Sequence, residues 1–508
     1  MFAAVNSLGL LGIDGFPVKV EADISQGLPA FDVVGLPDTA VRESRDRVRA
    51  AMKNCGYTYP VSRITINMAP ASVKKAGSLY DLPLLIAILK ASGQLQAETD
   101  QTAFIGELSL LGEVRAVSGV LSMVIAARES GIKTVYLPAE NAAEGAVVDG
   151  IICYPVETVT QLVDHLLGLT ELRPATEWVG EVGPAPLPPD FADVMGQGVA
   201  RHVMEIAAVG GHNVLLIGSP GAGKSMLAKR LPGILPDMTA EEALEATKIH
   251  SVAGTLQGGI GLLQERPFRS PHHTVSVAGL TGGGSTPRPG EVSLAHHGVL
   301  FLDELPEFSR QAMESLRQPL EDSKVTISRV NATITYPCTF MLIAAMNPCP
   351  CGFYGHPSHP CTCSPQAVRR YLSRISGPLL DRIDLHIEVP PVQYEELASK
   401  KKAESSAEIR ERVNKAREIQ NKRFAGTNIT CNAHIPDSQL KTWCPVTEAG
   451  EQLLRDVFDK LGLSARAYNR ILKVARTIAD MDGAEQIDLP HIAEAVQYRS
   501  LDRKYWGE

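Results

Sequence analysis

Eight residues, Gly218-Ser-Pro-Gly-Ala-Gly-Lys-Ser225, restrict this chain to folds that can seat a phosphate-binding loop. They fit the pattern G-x-x-x-x-G-K-[ST], which has a mechanism only between a strand and a helix. Both flanks are present. Asn213-Val-Leu-Leu-Ile217 is an apolar run that predicts a buried parallel strand, and Met226-Leu-Ala-Lys-Arg-Leu231 predicts the first turns of a helix. Gly218, Ser219, Pro220, Gly221, Ala222 and Gly223 then form the cradle. Gly221 and Gly223 keep Cβ atoms away from backbone N–H groups that must curl round an anion. Lys224 would reach the outer phosphates, and the Ser225 hydroxyl would bind Mg²⁺.

Two more apolar runs end in polar groups. Val299-Leu-Phe-Leu302 runs into Asp303-Glu304, and Phe340-Met-Leu-Ile-Ala-Ala-Met346 runs into Asn347. Asp303 is expected to hold the Mg²⁺ and Glu304 to polarise the attacking water. Asn347 resembles the polar sensor 1 residue of AAA+ ATPases, which helps to place that water. Ligands in open α/β sheets sit at the carboxyl ends of strands, which is where these side chains fall. ATP and Mg²⁺ are therefore the expected cofactors, and ATP hydrolysis the expected reaction.

The length, 508 residues, suits two to four domains. Net charge is −8, which excludes a global basic field. Any nucleic-acid contact must come from local basic surface, such as a ring pore. No apolar run reaches the length of a membrane span, so no membrane partner is expected. Met1-Phe-Ala-Ala-Val-Asn6 has no basic n-region, so no secretory leader is expected and the cytoplasm is the expected compartment.

Nine cysteines, four of them bunched, point to a reducing compartment with a metal site rather than disulfides. Cys349-Pro-Cys351 and Cys361-Thr-Cys363 flank a stretch containing Gly352, Gly355, Pro357 and Pro360, a composition that turns. Four thiolates are what a closed structural Zn²⁺ site requires. His356 or His359 could replace one sulfur, and the alternative is four free thiols on a loop.

Residues 1–170 alternate strand and helix patterns. Pro17-Val-Lys-Val-Glu-Ala-Asp23 and Ile64-Thr-Ile-Asn67 read as strands, and Val41–Met52 and Leu82–Leu89 as helices. Ile64–Ala69, Lys75-Ala-Gly77, Gly106-Glu107, Gly112-Glu-Val114 and Gly131–Pro138 resemble the proteolytic domain of Lon-type proteases. That resemblance implies a serine–lysine dyad. The serine slot falls at Leu79 or Tyr80, beside Ser78, and the lysine slot at Leu121. A leucine cannot activate a serine, so a Lon-like α+β domain without peptidase activity is expected.

Residues 171–190, rich in proline, read as a linker. The ATPase core is expected over 191–392, with the cysteine insertion at 348–364. Asp193-Val-Met-Gly-Gln197 resembles AAA+ segments that wrap the adenine, which makes Gly196 and Gln197 candidates. Arg266–Ser285, rich in glycine, proline and histidine, is expected to be a polar surface insertion, with His272 and His273 facing different sides. Lys324–Tyr336 alternates around Arg329-Val-Asn331 and predicts a hairpin. Residues 393–430 read as a solvated charged helical connector, and 431–508 as a helical lid in which Ser464 caps a helix.

The insertion, the hairpin and Gly377-Pro-Leu-Leu-Asp-Arg-Ile-Asp-Leu-His386 resemble the magnesium-chelatase and MCM branch of AAA+ ATPases. Over the whole chain, with Asn347-Pro-Cys-Pro-Cys-Gly352 and Gly27–Asp38, the match is to the ComM/YifB family. The resemblance implies a Lon-like front, an α/β P-loop core and a helical lid. It also implies a homo-hexameric motor that extends branched DNA intermediates, at junctions of single and double strands, in recombination and natural transformation. Arg382 matches the arginine finger, the alternative being an ion pair with Asp381 or Asp384. Arg466 resembles the sensor 2 arginine, with Arg470 second. Arg329, Lys324, Arg266 and Arg269 are the candidate DNA contacts. A chelatase-type subunit and a protein-remodelling ATPase are the competing functions.

Overall fold

The computed structural model describes the chain apart from residues 178–188, 257–258, 285–286, 330–331, 393–402, 462–463 and 507–508, and the side chains of Glu177, Arg329, Ala332, Leu461, Asp502 and Arg503. The described residues form two compact units. The first comprises Met1–Ala185, Ala240–Leu263 and Ser328–Ile334; the second comprises Pro186–Thr239, Gln264–Ile327 and Thr335–Glu508.

In the first unit, β1 (Phe2–Leu11), β2 (Asp14–Ser25), β3 (Ala30–Val34), β4 (Arg63–Ala69), β5 (Thr102–Phe104), β8 (Thr134–Pro138) and β9 (Ile152–Val156) make one sheet. The short strands β6 (Glu107–Leu108) and β7 (Val114–Arg115) pair separately. The sheet order is β3-β4-β2-β1-β5-β8-β9. It is antiparallel at β1–β2 and β2–β4 and parallel elsewhere. The period-two pattern of β2 sets its register. Val18, Val20, Ala22 and Ile24 are buried, while Lys19 and Asp23 face solvent. Helix Asp81–Ala91, apolar on nearly every side, covers β1 and β2.

Both Lon slots are in this unit. The Ser78 hydroxyl donates to the Glu107 carboxylate. Leu121 is fully buried in helix Val120–Glu129, and its N–H donates to Glu144 Oε2 at 3.2 Å. The lysine near Ser78 in sequence, Lys75, is itself buried and donates to the Pro70 carbonyl. Helix Ala240–Ala253 lies against Val120–Glu129, and Gly119 N–H donates to Ser251 O at 3.0 Å.

The second unit contains β10 (Val214–Ile217), β11 (Phe268–Arg269), β12 (Val299–Leu302), β15 (Met341–Met346) and β16 (Leu385–Glu388). They form a parallel sheet in the order β11-β12-β15-β10-β16. Every residue of β10, β12 and β15 is buried, which is why those strands read as unbroken apolar runs. The order turns back at β10, so a crevice opens beyond its carboxyl end, at the start of the glycine loop. Strands β13 (Lys324–Arg329) and β14 (Ala332–Pro337) pair as the expected ribbon. Its tip, Val330-Asn331, and the Arg329 side chain lie outside the described residues.

Two expectations are corrected here. The stretch after Arg266 is more than a surface insertion: Phe268–Arg269 is the edge strand of the sheet, parallel to β12. Helix Ser406–Arg423 is more than a solvated connector. A capping box at Ser405 and Glu408 starts it. It buries Ile409, Val413, Ala416 and Gln420 along one face, and Gln420 Nε2 donates to Val209 O at 3.0 Å. Small and polar residues in that stripe hid it from a hydrophobic reading. The C-terminal helices Glu448–Leu461, Ala465–Met481, Leu489–Gln497 and Ser500–Trp506 complete the unit, with Ser464 accepting from Ala467 N–H at the cap.

Candidate active site

The parallel register brings three strand ends together. Ile217 is level with Met346, and Leu302 with Ala344, so Gly218, Asn347 and Asp303 emerge at one edge. Gly218 N–H donates to Met346 O at 3.2 Å. The loop then turns through Gly221 and Gly223, with φ of 77° and 91°, a region that favours glycine. Helix Lys224–Arg230 follows. Its free N–H groups and positive dipole end face the crevice.

Lys224 is 8% exposed, and burial lowers its ammonium from the usual value, opposed by the carboxylates of Asp303 and Glu304. Its Nζ donates to Gly218 O at 2.8 Å, Ser219 O at 2.9 Å and Asn347 Oδ1 at 3.1 Å. A buried cation held by neutral oxygens lacks a close counter-charge, which suits it to meeting phosphate. Ser225 Oγ donates to Asp303 Oδ2 at 2.6 Å. A hydroxyl and a carboxylate oxygen so close are hard donors of the kind that Mg²⁺ takes.

Glu304 has φ of 53°, an uncommon value for a residue with a side chain and one typical of active sites. Its N–H donates to Asp303 Oδ1 at 3.0 Å. His273 Nδ1 lies 3.4 Å from Glu304 Oε2. The two histidines do not face opposite sides: their ring centroids are 4.0 Å apart. Only the fold brings His273 to Glu304, and nothing in the sequence spacing signals it. Gln197, also at positive φ, donates through Nε2 to Ala222 O at 3.1 Å and Pro390 O at 2.6 Å. Its Oε1 is buried without a partner, an acceptor open to a ligand amine.

The arginines divide. Arg382 is 5% exposed and pairs with neither neighbouring aspartate: it pairs with Glu321 and donates to Pro378 O, while its Nε has no partner. Arg466 is exposed in the first turn of its helix. Arg470 is committed elsewhere, in an ion pair with buried Asp384. That aspartate also accepts from Asn213 N–H at 2.9 Å and lies 3.6 Å from His212 Nδ1. Burial alone would push its carboxyl up. Arg470 and His212 offset this and hold it well below the usual carboxylate range.

Asp384→Ala is therefore expected to destabilise the second unit by about 3–5 kcal/mol, because it strands a guanidinium at a largely buried site. Thermal unfolding checks this, and a variant as stable as the native chain would show the pair to be dispensable. The depressed carboxyl contributes stability that is present above the unfolded value, about pH 4, and is lost as pH falls below it.

Two of the expected DNA contacts have partners within the chain. Arg266 is tied to backbone oxygens, Nε to Pro236 O at 2.6 Å and Nη1 to His297 O at 2.7 Å. Arg269 forms a two-pronged pair with Glu291 at 2.7 and 2.8 Å, which also raises its guanidinium. Lys324 is exposed at the start of β13. The cysteines converge: Cys349 and Cys351 sulfurs are 3.3 Å apart, and Cys361 lies 3.7 and 3.6 Å from them. All four ligand atoms lie within 4.8 Å of one another.

Family models for the magnesium chelatase subunit ChlI match residues 190–397 and 20–141, and one for its C-terminal region matches 403–499. The competence protein ComM of Haemophilus influenzae is 45% identical over 99% of this chain and 98% of its own length. The chain belongs to the ComM/YifB family. YifB of Salmonella typhimurium is 44% identical over 99% of this chain and 97% of its own length. A Lon protease of Methanosphaera stadtmanae is 38% identical over 177 residues, 32% of this chain and 21% of that protein. The family is a magnesium-chelatase-type group of AAA+ ATPases, mixed α/β with a Lon-like portion and a helical C-terminal region. Among the described residues no helix is long and apolar enough to cross a membrane.

Proposed function

We propose that this chain is a ring-forming cytoplasmic ATPase motor that drives branch migration of DNA. The observation that carries the ATPase part is the meeting of Lys224, Ser225, Asp303, Glu304 and Asn347 at three strand ends. The loop from Gly218 to Gly223 cradles the phosphates, and Lys224 leaves its carbonyl partners to contact the outer ones. Ser225 and Asp303 would hold Mg²⁺, which would neutralise charge on the phosphates. Asn347 orients the attacking water, and Glu304 takes its proton. Gln197 accepts from the adenine amine through its open Oε1, and Arg466 senses the bound nucleotide from the lid.

The DNA part is supported by the name of the Haemophilus relative, a competence protein. The ribbon β13–β14 supports it too, standing in sequence between Asp303 and Asn347, where nucleotide state can move it. Arg329 and Lys324 on that ribbon are the proposed phosphate contacts. Forked DNA is expected to raise ATP turnover several-fold over linear duplex or unfolded protein. Arg329→Ala should weaken binding and lower the salt slope by about one. Stimulation by unfolded protein alone would favour a remodelling ATPase. Stimulation only with a metal-inserting partner would favour the chelatase reading, which the ChlI matches support. Unchanged DNA binding in Arg329→Ala would remove the ribbon from the DNA path.

A further inference from the structure

We propose that Cys349, Cys351, Cys361 and Cys363 bind one zinc ion, and that the ion props their loop against the phosphate-binding loop so that metal occupancy sets nucleotide affinity. The second half rests on the ATP reading above. A tetrahedral zinc tetrathiolate with Zn–S near 2.3 Å has sulfurs about 3.8 Å apart. The 3.3, 3.7 and 3.6 Å separations found here approach that edge length, as they must if the sulfurs surround one centre. None of the four forms a disulfide. A set of sulfurs this tight has room for a single ion, not for an iron–sulfur cluster, whose own sulfides hold the cysteines apart.

Backbone N–H groups approach the sulfurs too: those of Phe353 and Thr362 point to Cys351, and that of Tyr354 to Cys349. Such donors stabilise thiolates around a metal. The nearby histidines are not needed. His356 Nδ1 already accepts from the N–H of His359 at 3.0 Å. Cys349 is fully buried and the other three partly so, which leaves no open position for a substrate and marks the site as structural.

The link to the nucleotide loop is steric. Gly352 has φ of 86°, and a Cβ there would stand 2.7 Å from Cγ of Pro220, inside the phosphate-binding loop. The cysteine loop therefore rests on Pro220 with no space between. It begins at Asn347, two residues before Cys349, whose amide holds Lys224. A wall this close transmits any collapse of the cysteine loop to the cradle.

The test uses full-length protein purified without chelator. Elemental analysis should find about one zinc per chain, lost in Cys361→Ser/Cys363→Ser. Less than about half an equivalent, iron in place of zinc, or full zinc in the double variant would overturn the site. Should the variant fail to fold, native protein stripped and reloaded with cobalt(II) keeps the question open to an answer. The intense visible bands of a tetrahedral thiolate site are expected, and a weak octahedral spectrum would overturn it. Fluorescent ATP should bind about tenfold more weakly to stripped protein and regain affinity with zinc. Equal affinity in both states would overturn the coupling. Zinc in full amount in native protein that binds no nucleotide would overturn the ATP reading and the coupling, with the metal site left standing.

Discussion

Glu304→Gln should lower kcat for ATP by about 10²–10⁴, the range for loss of a general base, while ATP still binds. Glutamine keeps the volume and the hydrogen bond to water but cannot take a proton. The side chain's observed partner is His273, at 3.4 Å. Binding should therefore survive, whereas Lys224→Ala should lose binding and turnover together, because the cation is aimed at the ground-state phosphates as well. Steady-state turnover with a separate nucleotide-binding titration distinguishes the two variants. A Glu304→Gln protein that turns over within a few-fold of native would move the base to another residue.

The parts of this site that were readable in sequence share one property. Strands β10, β12 and β15 are buried on both faces, so each appears as an uninterrupted apolar run, and the first polar residue after it marks the edge of the sheet. The cysteine pairs were readable because metal-ligand spacing is local. What sequence could not show depends on long-range partners. Phe268–Arg269 is too short to carry a period, and only its pairing with Val299–Leu300 makes it a strand. Arg266 and Arg269 look like free cations until the Pro236 carbonyl and the Glu291 carboxylate appear beside them. Arg470 matches a lid sensor by helical spacing, yet Asp384, 86 positions away, claims it. His273 comes to Glu304 in the same way, through the fold alone.

Arg382→Ala should lower turnover by about 10³-fold or beyond, the scale of an arginine finger. Within one chain the guanidinium is buried, paired with Glu321, and its Nε has no hydrogen-bond partner. An unpaired donor on a buried cation is costly, so the resting arrangement is one that a better acceptor can displace. Glu321 is about half exposed and can be rehydrated once the arginine leaves it. We propose the γ-phosphate of ATP on a neighbouring copy as that acceptor, since a planar guanidinium can meet it with two hydrogen bonds. On this proposal the finger would act in trans, with Lys224, Ser225, Asp303 and Glu304 from one protomer and Arg382 from the next. Mixing Lys224→Ala and Arg382→Ala proteins should restore part of the turnover, since some interfaces regain an intact loop facing an intact finger. Mixed rings are verified by co-purification through a tag on one variant. If such rings form and remain as inactive as either variant alone, Arg382 acts within its own chain, and its pair with Glu321 is its whole role.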